Sequence, residues 1–364
     1  MSARSSNIVV LSAGGTGGHL FPAQALAGVL ARRGRAVVVM TDTRFANYAT
    51  AFPGARILTV PSSPLNAVMA PFKILAGVAI AFAKLLKLKP AAVVGFGGYP
   101  SVPVMLAASL ARLPTAIIEQ NAVVGRANRL VMNQVKVVAA AFPIARFAPS
   151  DKSKIVLTGN PLRPEVEALW GAPYNAPQAG GTFRLLVFGG SQGARAMSEI
   201  VPAALTRLPH ALKARLSVVQ QCRPEDVETV RQIYRNAEIG CELQTFFTDL
   251  PRHMAESHLV IARSGAGTVA ELMAIGRPAI LVPLPGALDD NQTPNADILA
   301  RADAGWRVAQ AELTPDFLAQ MLTRILAAPS DLARRAMAAH ALATPHAAEN
   351  LADVVESLAV RRAA

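Results

Sequence analysis

The first half of this chain has almost no acid. Residues 1–162 carry 17 Lys and Arg against three carboxylates, Asp42, Glu119 and Asp151, a net charge of +14. Residues 163–364 carry the other 19 basic and 21 acidic side chains, a net of −2. A basic body of this kind meets a polyanion: nucleic acid, an anionic membrane or an acidic substrate. The basic residues are scattered and form no recognised nucleic-acid motif, so no nucleic acid is expected. Cysteine is nearly absent too. Cys222 and Cys241 lack metal-ligand spacing and read as buried thiols of a reducing compartment. Long apolar runs are missing. The most apolar stretch, Ile74–Ala83, lies between Lys73 and Lys84 and is half the length of about 20 residues that a bilayer span needs. No apolar run precedes the first glycine turn, so no signal peptide is expected.

What is present is a globular composition, 52% hydrophobic and 16% charged. At 364 residues the chain exceeds one ordinary core, which predicts two domains. A glycine-rich turn occurs twice. Ile8–Ala13 leads into Gly14-Gly15-Thr16-Gly17-Gly18-His19, and Leu185–Phe188 leads into Gly189-Gly190-Ser191-Gln192-Gly193. A strand feeding such a turn aims backbone N–H groups and a helix N-terminus at one spot, which suits phosphate.

Strands are expected at 7–12, 36–40, 57–60, 91–95, 115–118, 136–140 and 154–158, with helices at 20–33, 66–88, 101–111 and 125–134. The second half repeats the alternation. Its strands fit 184–188, 216–220, 241–245, 258–261 and 279–283, and its helices 194–207, 224–236, 249–256, 268–275, 293–302 and 314–327. Helical pattern then continues to the end, broken near Thr344-Pro345. This is an α/β class with two parallel, doubly covered sheets. Ligand loops at the strand ends then line one shared cleft.

Individual motifs carry two readings each. A G-x-G-x-x-G frame on Gly15 and Gly17 puts Leu20 at the third glycine, which argues against a dinucleotide fingerprint. Asp42 after the second strand keeps a nicotinamide cofactor as a minor alternative. His19 opens a helix, whose N-terminus disfavours a cation, so a neutral imidazole is expected there. It serves either as a general base or as a hydrogen-bonded helix-start residue. Arg263-Ser264-Gly265-Ala266-Gly267-Thr268-Val269-Ala270-Glu271 opens another helix with small residues and suits a diphosphate. Arg263 adds charge or pairs with a surface acid. Thr268 and Glu271 match a capping box, while Glu271 alternatively accepts from sugar hydroxyls. Asp289–Asn295 caps a helix or binds a hydroxyl-rich ligand. Gly95–Ser101 is a third glycine turn, for phosphate or for close backbone packing. No two aspartates are spaced D-x-D, so a metal-independent design is expected, with helix dipole and backbone donors facing the diphosphate. On the 66–88 helix, Lys73, Gly77, Ile80, Lys84 and Lys87 fall close to one face, read as a core helix with a lysine edge or as a contact for anionic membrane.

Together, Gly14–His19, Gly97-Gly98-Tyr99, Glu119-Gln120-Asn121, Gly159-Asn160-Pro161, Gly189–Gly193, Arg263–Ala266 and Asp290-Asn291-Gln292 resemble, in order and approximate spacing, the MurG family of peptidoglycan N-acetylglucosaminyltransferases. The resemblance implies a GT-B fold of two Rossmann-like domains. Residues 1–162, with a C-terminal helix 344–364 packed back on them, would bind acceptor and membrane, and residues 163–343 the donor. The implied reaction moves GlcNAc from UDP-GlcNAc to the C4 hydroxyl of MurNAc in undecaprenyl-diphosphate-MurNAc-pentapeptide. It inverts the sugar to a β-1,4 link, uses no cofactor or metal, and runs at the cytoplasmic face of the inner membrane.

By the same resemblance His19 is the catalytic candidate. Donor contacts map to Thr16, Gly17, Gly18, Asn121, Arg163, Ser191, Phe247, Ala266, Gly267, Thr268, Val269, Ala270, Glu271 and Gln292. Within that set Glu271 holds the ribose, Gln292 the GlcNAc hydroxyls, and Phe247 a backbone contact to uracil. Acceptor contacts map to Gly15, Gly97, Gly98, Tyr99 and Asn128. The turns Thr16–Gly18 and Gly97–Tyr99 face the acceptor diphosphate, with Asn121 near the reacting sugars. The alternatives are a same-fold enzyme with another lipid acceptor such as diacylglycerol, a non-catalytic nucleotide- or lipid-binding protein, and a nicotinamide oxidoreductase.

Overall fold

The computed structural model describes residues 7–14, 17–43, 52–63, 70–178, 180–190 and 193–363. The chain divides into two compact units, Met1–Arg163 with Thr344–Ala364, and Pro164–Ala343.

Among the described residues the first unit holds strands β1 (Ile8–Ser12), β2 (Ala36–Thr41), β3 (Arg56–Thr59), β4 (Ala92–Gly95), β5 (Thr115–Glu119), β6 (Val137–Ala140) and β7 (Ile155–Leu157). Its helices are α1 (Gly17–Arg32), α2 (Ala70–Leu88), α3 (Ser101–Leu110) and α4 (Arg126–Val131). The strands form one parallel sheet in the order β3-β2-β1-β4-β5-β6-β7. Order reverses beside β1, and the loops after β1 and β4 leave the sheet there, where open α/β sheets place ligands.

Successive strand side chains point to opposite faces. Val9, Leu11, Val37, Val39, Ala92 and Val94 bury against Leu20, Ala23, Leu26 and Leu30 of α1 on one face. Val10, Val38, Met40, Val93 and Ile117 bury on the other, against Ala81 and Leu85 of α2 and Val104 and Met105 of α3. Both faces are covered, so the strands read as continuous apolar runs.

The second unit runs α5 (Pro164–Glu167), β8 (Phe183–Phe188), α6 (Arg195–Thr206), α7 (His210–Lys213), β9 (Leu216–Gln221), α8 (Val227–Asn236), β10 (Gly240–Gln244), α9 (Leu250–Glu256), β11 (Leu259–Ala262), α10 (Ala266–Ile275), β12 (Ala279–Leu281), α11 (Gln292–Arg301), β13 (Gly305–Arg307), α12 (Pro315–Ala327) and α13 (Pro329–Ala341). Its parallel sheet has the order β10-β9-β8-β11-β12-β13. Strand β13 escaped the sequence reading because three residues carry no periodicity. The last helix, α14 (Ala347–Ala363), returns to the first unit. Its Ala348, Leu351, Ala352 and Val355 join the α1 face of that core, and Arg33 bonds both Asp353 at 2.6 Å and Glu356 at 2.9 Å.

The lysine edge expected on α2 is only partly at the surface. Gly77 is buried, and a Cβ there would lie 2.2 Å from the Pro61 carbonyl. Lys84 donates to the Thr59 carbonyl. The solvent face is instead an apolar stripe of Phe72, Leu75 and Leu86, each more than half exposed.

Candidate functional site

The first unit gathers its candidate residues at three loops. Gly15 and Thr16 lie outside the described residues, and Gly17 opens α1, placing Gly18 and His19 in its first turn. The His19 ring lies over the Gly97-Gly98 turn. A Cβ on Gly97 would come within 3.2 Å of His19 Cε1, and both glycines have positive φ, +81° and +72°. Only glycine gives that backbone and leaves room for the ring. Part of His19 reaches solvent, while its Nδ1 is closed off. Burial lowers its pKa below the ordinary 6.5, against smaller upward pulls from Gln120 and the Phe96 carbonyl. The imidazole is therefore neutral near pH 7, through desolvation first.

Beyond β5 the chain turns around Glu119, a buried carboxylate. One oxygen accepts from the Asn121 backbone N–H at 3.0 Å and its Nδ2 at 3.3 Å. The other accepts from the Gly125 N–H at 2.9 Å and Asn128 Nδ2 at 2.8 Å. Burial raises the Glu119 pKa, and these four donors oppose that rise by favouring the ionised form. Asp42 is the second buried acid of the basic half, and it accepts from Tyr99 Oη at 3.2 Å and Ser62 Oγ at 3.4 Å. Asp42 thus orients Tyr99. Two of the three acids of the basic half are internal anchors of these loops. Their rarity was the available sequence signal, and neither anchoring role was read from it. Arg163 places its guanidinium over the Phe21 ring of α1, 5.1 Å from the centroid.

In the second unit the helix after β11 begins two residues earlier than expected. Gly265 is the N-cap of α10 and no side chain caps it. Thr268 therefore lies inside the first turn, and the expected Thr268–Glu271 capping box does not form. The N–H groups of Ala266, Gly267 and Thr268 have no acceptor within the helix. The Val269 N–H already bonds the Gly265 carbonyl at 3.0 Å, and the side chains of Val269 and Ala270 are buried. Glu271 is half-buried on the next turn.

Arg263 neither faces solvent nor pairs with a surface acid. It is buried and donates to the carbonyls of Val282 and Pro283, each at 3.1 Å, and to Gln310. Ser264 Oγ donates to the Gln292 carbonyl at 2.8 Å, and Asn295 Nδ2 to the Ser264 carbonyl at 3.1 Å. These bonds tie the α10 and α11 starts together. Gln292 Oε1 accepts from the Leu284 N–H at 3.0 Å, which turns its Nε2 away from Leu284. Ser191 lies outside the described residues. The Phe247 side chain is buried edge-on to His253, ring centroids 4.9 Å apart. Among the described residues no cluster of three His, Cys, Asp or Glu is arranged to hold a metal ion.

Family models match both halves: the glycosyltransferase family 28 N-terminal domain over residues 9–140 and its C-terminal domain over 184–354. The chain is thus a glycosyltransferase of GT-B fold, two Rossmann-like α/β units. A crystal structure of Acinetobacter baumannii MurG is similar with a TM-score of 0.81 and 33% identity, covering 96% of this chain and 99% of that one. A calicheamicin glycosyltransferase shares the fold at 18% identity and a TM-score of 0.68, over 98% and 99%. A Rhodopseudomonas palustris relative is 50% identical over 97% of this chain and 98% of its own. One from Caulobacter vibrioides is 47% identical over 97% and 99%. Both bear the name UDP-N-acetylglucosamine–N-acetylmuramyl-(pentapeptide) pyrophosphoryl-undecaprenol N-acetylglucosamine transferase. This chain belongs to the MurG family.

Proposed function

We propose that the protein transfers GlcNAc from UDP-GlcNAc to the MurNAc C4 hydroxyl of undecaprenyl-diphosphate-MurNAc-pentapeptide, converting lipid I to lipid II in peptidoglycan synthesis. The observation that carries this reading is identity of 50% over nearly the whole length of a relative named for that reaction. The MurNAc O4 attacks the GlcNAc anomeric carbon from the face opposite the diphosphate. The bond from that carbon to the diphosphate oxygen breaks, its electron pair leaves with UDP, and the configuration inverts. The hydroxyl proton passes to His19, which burial keeps neutral and able to accept it. The uncapped first turn of α10 receives the leaving diphosphate through the N–H groups of Ala266, Gly267 and Thr268. Glu271 takes the ribose hydroxyls and Gln292 the sugar. Gly97, Gly98, Tyr99 and Asn128 serve the acceptor.

The first unit works at the cytoplasmic face of the inner membrane. Among the described residues no helix is long and apolar enough to cross a membrane. Beside the exposed stripe of α2 lies an apolar groove of about 590 Å³ lined by Ile74, Leu75, Val78, Leu106 and Leu110. The surrounding half carries a net +14. Apolar surface within a cationic body suits an anionic bilayer.

The test supplies purified protein with labelled UDP-GlcNAc and either lipid I or diacylglycerol. Labelled lipid II from the first acceptor alone is the expected result. A labelled glycolipid from diacylglycerol alone would replace the acceptor, and saturable donor binding without UDP release would remove the enzymatic reading.

A further inference from the structure

Behind the His19 ring is a residue that no role above uses. Gln120 is buried, 3% exposed, at the end of β5. Its Nε2 donates to the Phe96 carbonyl at 3.1 Å. A backbone carbonyl can only accept, so this bond settles which end of the amide is nitrogen. The amide oxygen then points the other way. Gln120 Oε1 and His19 Nδ1 are both shut from solvent, and neither has a hydrogen-bond partner. Each is the group the other lacks. An oxygen can only accept, and a neutral imidazole carries its single proton on one nitrogen or the other. The Phe96 carbonyl beside the ring is likewise only an acceptor.

We propose that Gln120 is a positioning residue that fixes His19 in its Nδ1–H tautomer, leaving Nε2 as the atom that takes the acceptor's proton. The Phe96 carbonyl holds Gln120 Nε2, and in the proposed pairing the orphaned Gln120 Oε1 is the acceptor for His19 Nδ1–H. Burial makes the wrong tautomer costly, because it would set a ring lone pair against the Gln120 oxygen. The ring lies against the Gly97-Gly98 turn. A neutral amide serves here where a carboxylate would raise the ring's pKa and protonate it in the ground state. This inference rests on the reading of His19 as base, and its tests keep the two apart.

Two variants and one spectrum decide. In Gln120→Glu, a folded variant should show the acid limb of its kcat/KM profile against pH shifted upward by about one unit, since a carboxylate favours imidazolium. In Gln120→Leu, kcat should fall roughly 10- to 100-fold while donor KM stays within twofold. Nitrogen-15 NMR of the His19 ring should show a protonated Nδ1 in the wild type and a mixture of tautomers in Gln120→Leu. A wild-type ring protonated at Nε2, or an acid limb unmoved in Gln120→Glu, would overturn the proposal. Loss of turnover in His19→Ala alongside such a result would leave the base in place and remove only Gln120. Full turnover in His19→Ala would instead remove the base, and the proposal with it.

Discussion

Asn128 donates from Nδ2 to the Glu119 carboxylate at 2.8 Å, and the same nitrogen donates to the Ile118 carbonyl at 2.8 Å. With both amide hydrogens committed, Asn128 presents its Oδ1, a buried oxygen without a partner. The acid thus holds the loop that follows β5.

Replacing that acid tests the assignment. In Glu119→Gln, either placement of the new amide points an NH₂ group at two existing donors. The expected loss is about 1–3 kcal/mol, a fall in Tm of roughly 2–12 °C for a unit of this size, together with reduced turnover. Asp151, the exposed acid of the same half, accepts only from Ser153 of its own turn, so Asp151→Asn should leave both unchanged. Thermal melts of the two variants side by side give the comparison. Equal melting would show that Glu119 anchors nothing.

The pH profile follows from His19. Its pKa in the folded protein is lowered by burial, so it stays neutral to a pH below the ordinary 6.5. A base must be unprotonated, hence the acid limb of kcat/KM should be centred below 6.5. The same sign holds for stability: the unfolded chain binds the proton more readily, so stability from this group is present above pH 6.5 and is lost as pH falls through the lowered value. His19→Ala should abolish the limb and cut turnover far more than donor affinity. A limb centred at or above 6.5 would argue for another base.

Much of this was legible before the structure. Period and glycine punctuation placed both sheets, because strands covered on both faces leave long apolar runs. The motif residues resembled the family closely enough to nominate Asn121, Asn128 and Glu271. What stayed hidden depended on side-chain partners across loops. Asp42, which only kept a nicotinamide cofactor open as a minor alternative, orients Tyr99. Arg263, read as added charge at the loop or as the partner of a surface acid, bonds buried carbonyls. The capping-box reading of Thr268, one of two it carried, fails because such boxes are local patterns, whereas Gly265 takes the N-cap position through backbone geometry alone. On α2 the lysines drew attention away from the Phe72-Leu75 stripe, since one-face counting does not say which face the protein covers.

Gly267 separates folding from binding. A Cβ at this position meets no atom within 4 Å, so Gly267→Ala fits the helix start. It should preserve stability or raise it by about 0.5–1 kcal/mol. The new methyl lies beside the uncapped N–H groups proposed to receive the diphosphate. Donor affinity should therefore fall about tenfold while Tm holds or rises, by calorimetry with UDP-GlcNAc. Unchanged affinity would place the diphosphate elsewhere.

The apolar stripe on α2 makes a separate demand. Phe72 and Leu75 are 68% and 70% exposed, so replacing both with Glu removes little from the core. Each new carboxylate removes apolar contact and adds repulsion from anionic lipid, worth about 1 kcal/mol per charge near the surface. Sedimentation with phosphatidylglycerol vesicles should show binding reduced at least tenfold, with turnover on a detergent-dispersed acceptor retained. Equal sedimentation of variant and wild type would move the membrane contact to another face.

Arg277 is the most exacting test of the second unit. It is 1% exposed, and no carboxylate stands among its hydrogen-bond partners. Its guanidinium donates instead to the carbonyls of Ala172, Pro173, Ala255, Ile275 and Gly276 and lies over the Tyr174 ring, 5.4 Å from the centroid. Burial draws its pKa down to about 10, so the group is still charged at neutral pH. Five carbonyls from three separate segments are joined at one cation, which fastens the stretch after α5 to the C-terminal ends of α9 and α10. Arg277→Met fills similar volume but leaves those carbonyls without a donor, so unfolding should cost about 3–5 kcal/mol less. Arg277→Lys keeps a charge yet offers three donors on one point, so it should recover only part of the loss. Denaturant unfolding of the three proteins should rank them Arg, Lys, Met. A methionine variant as stable as the wild type would mean that desolvating the cation offsets all of its bonds, and that the apolar contacts around Tyr174 alone hold this junction.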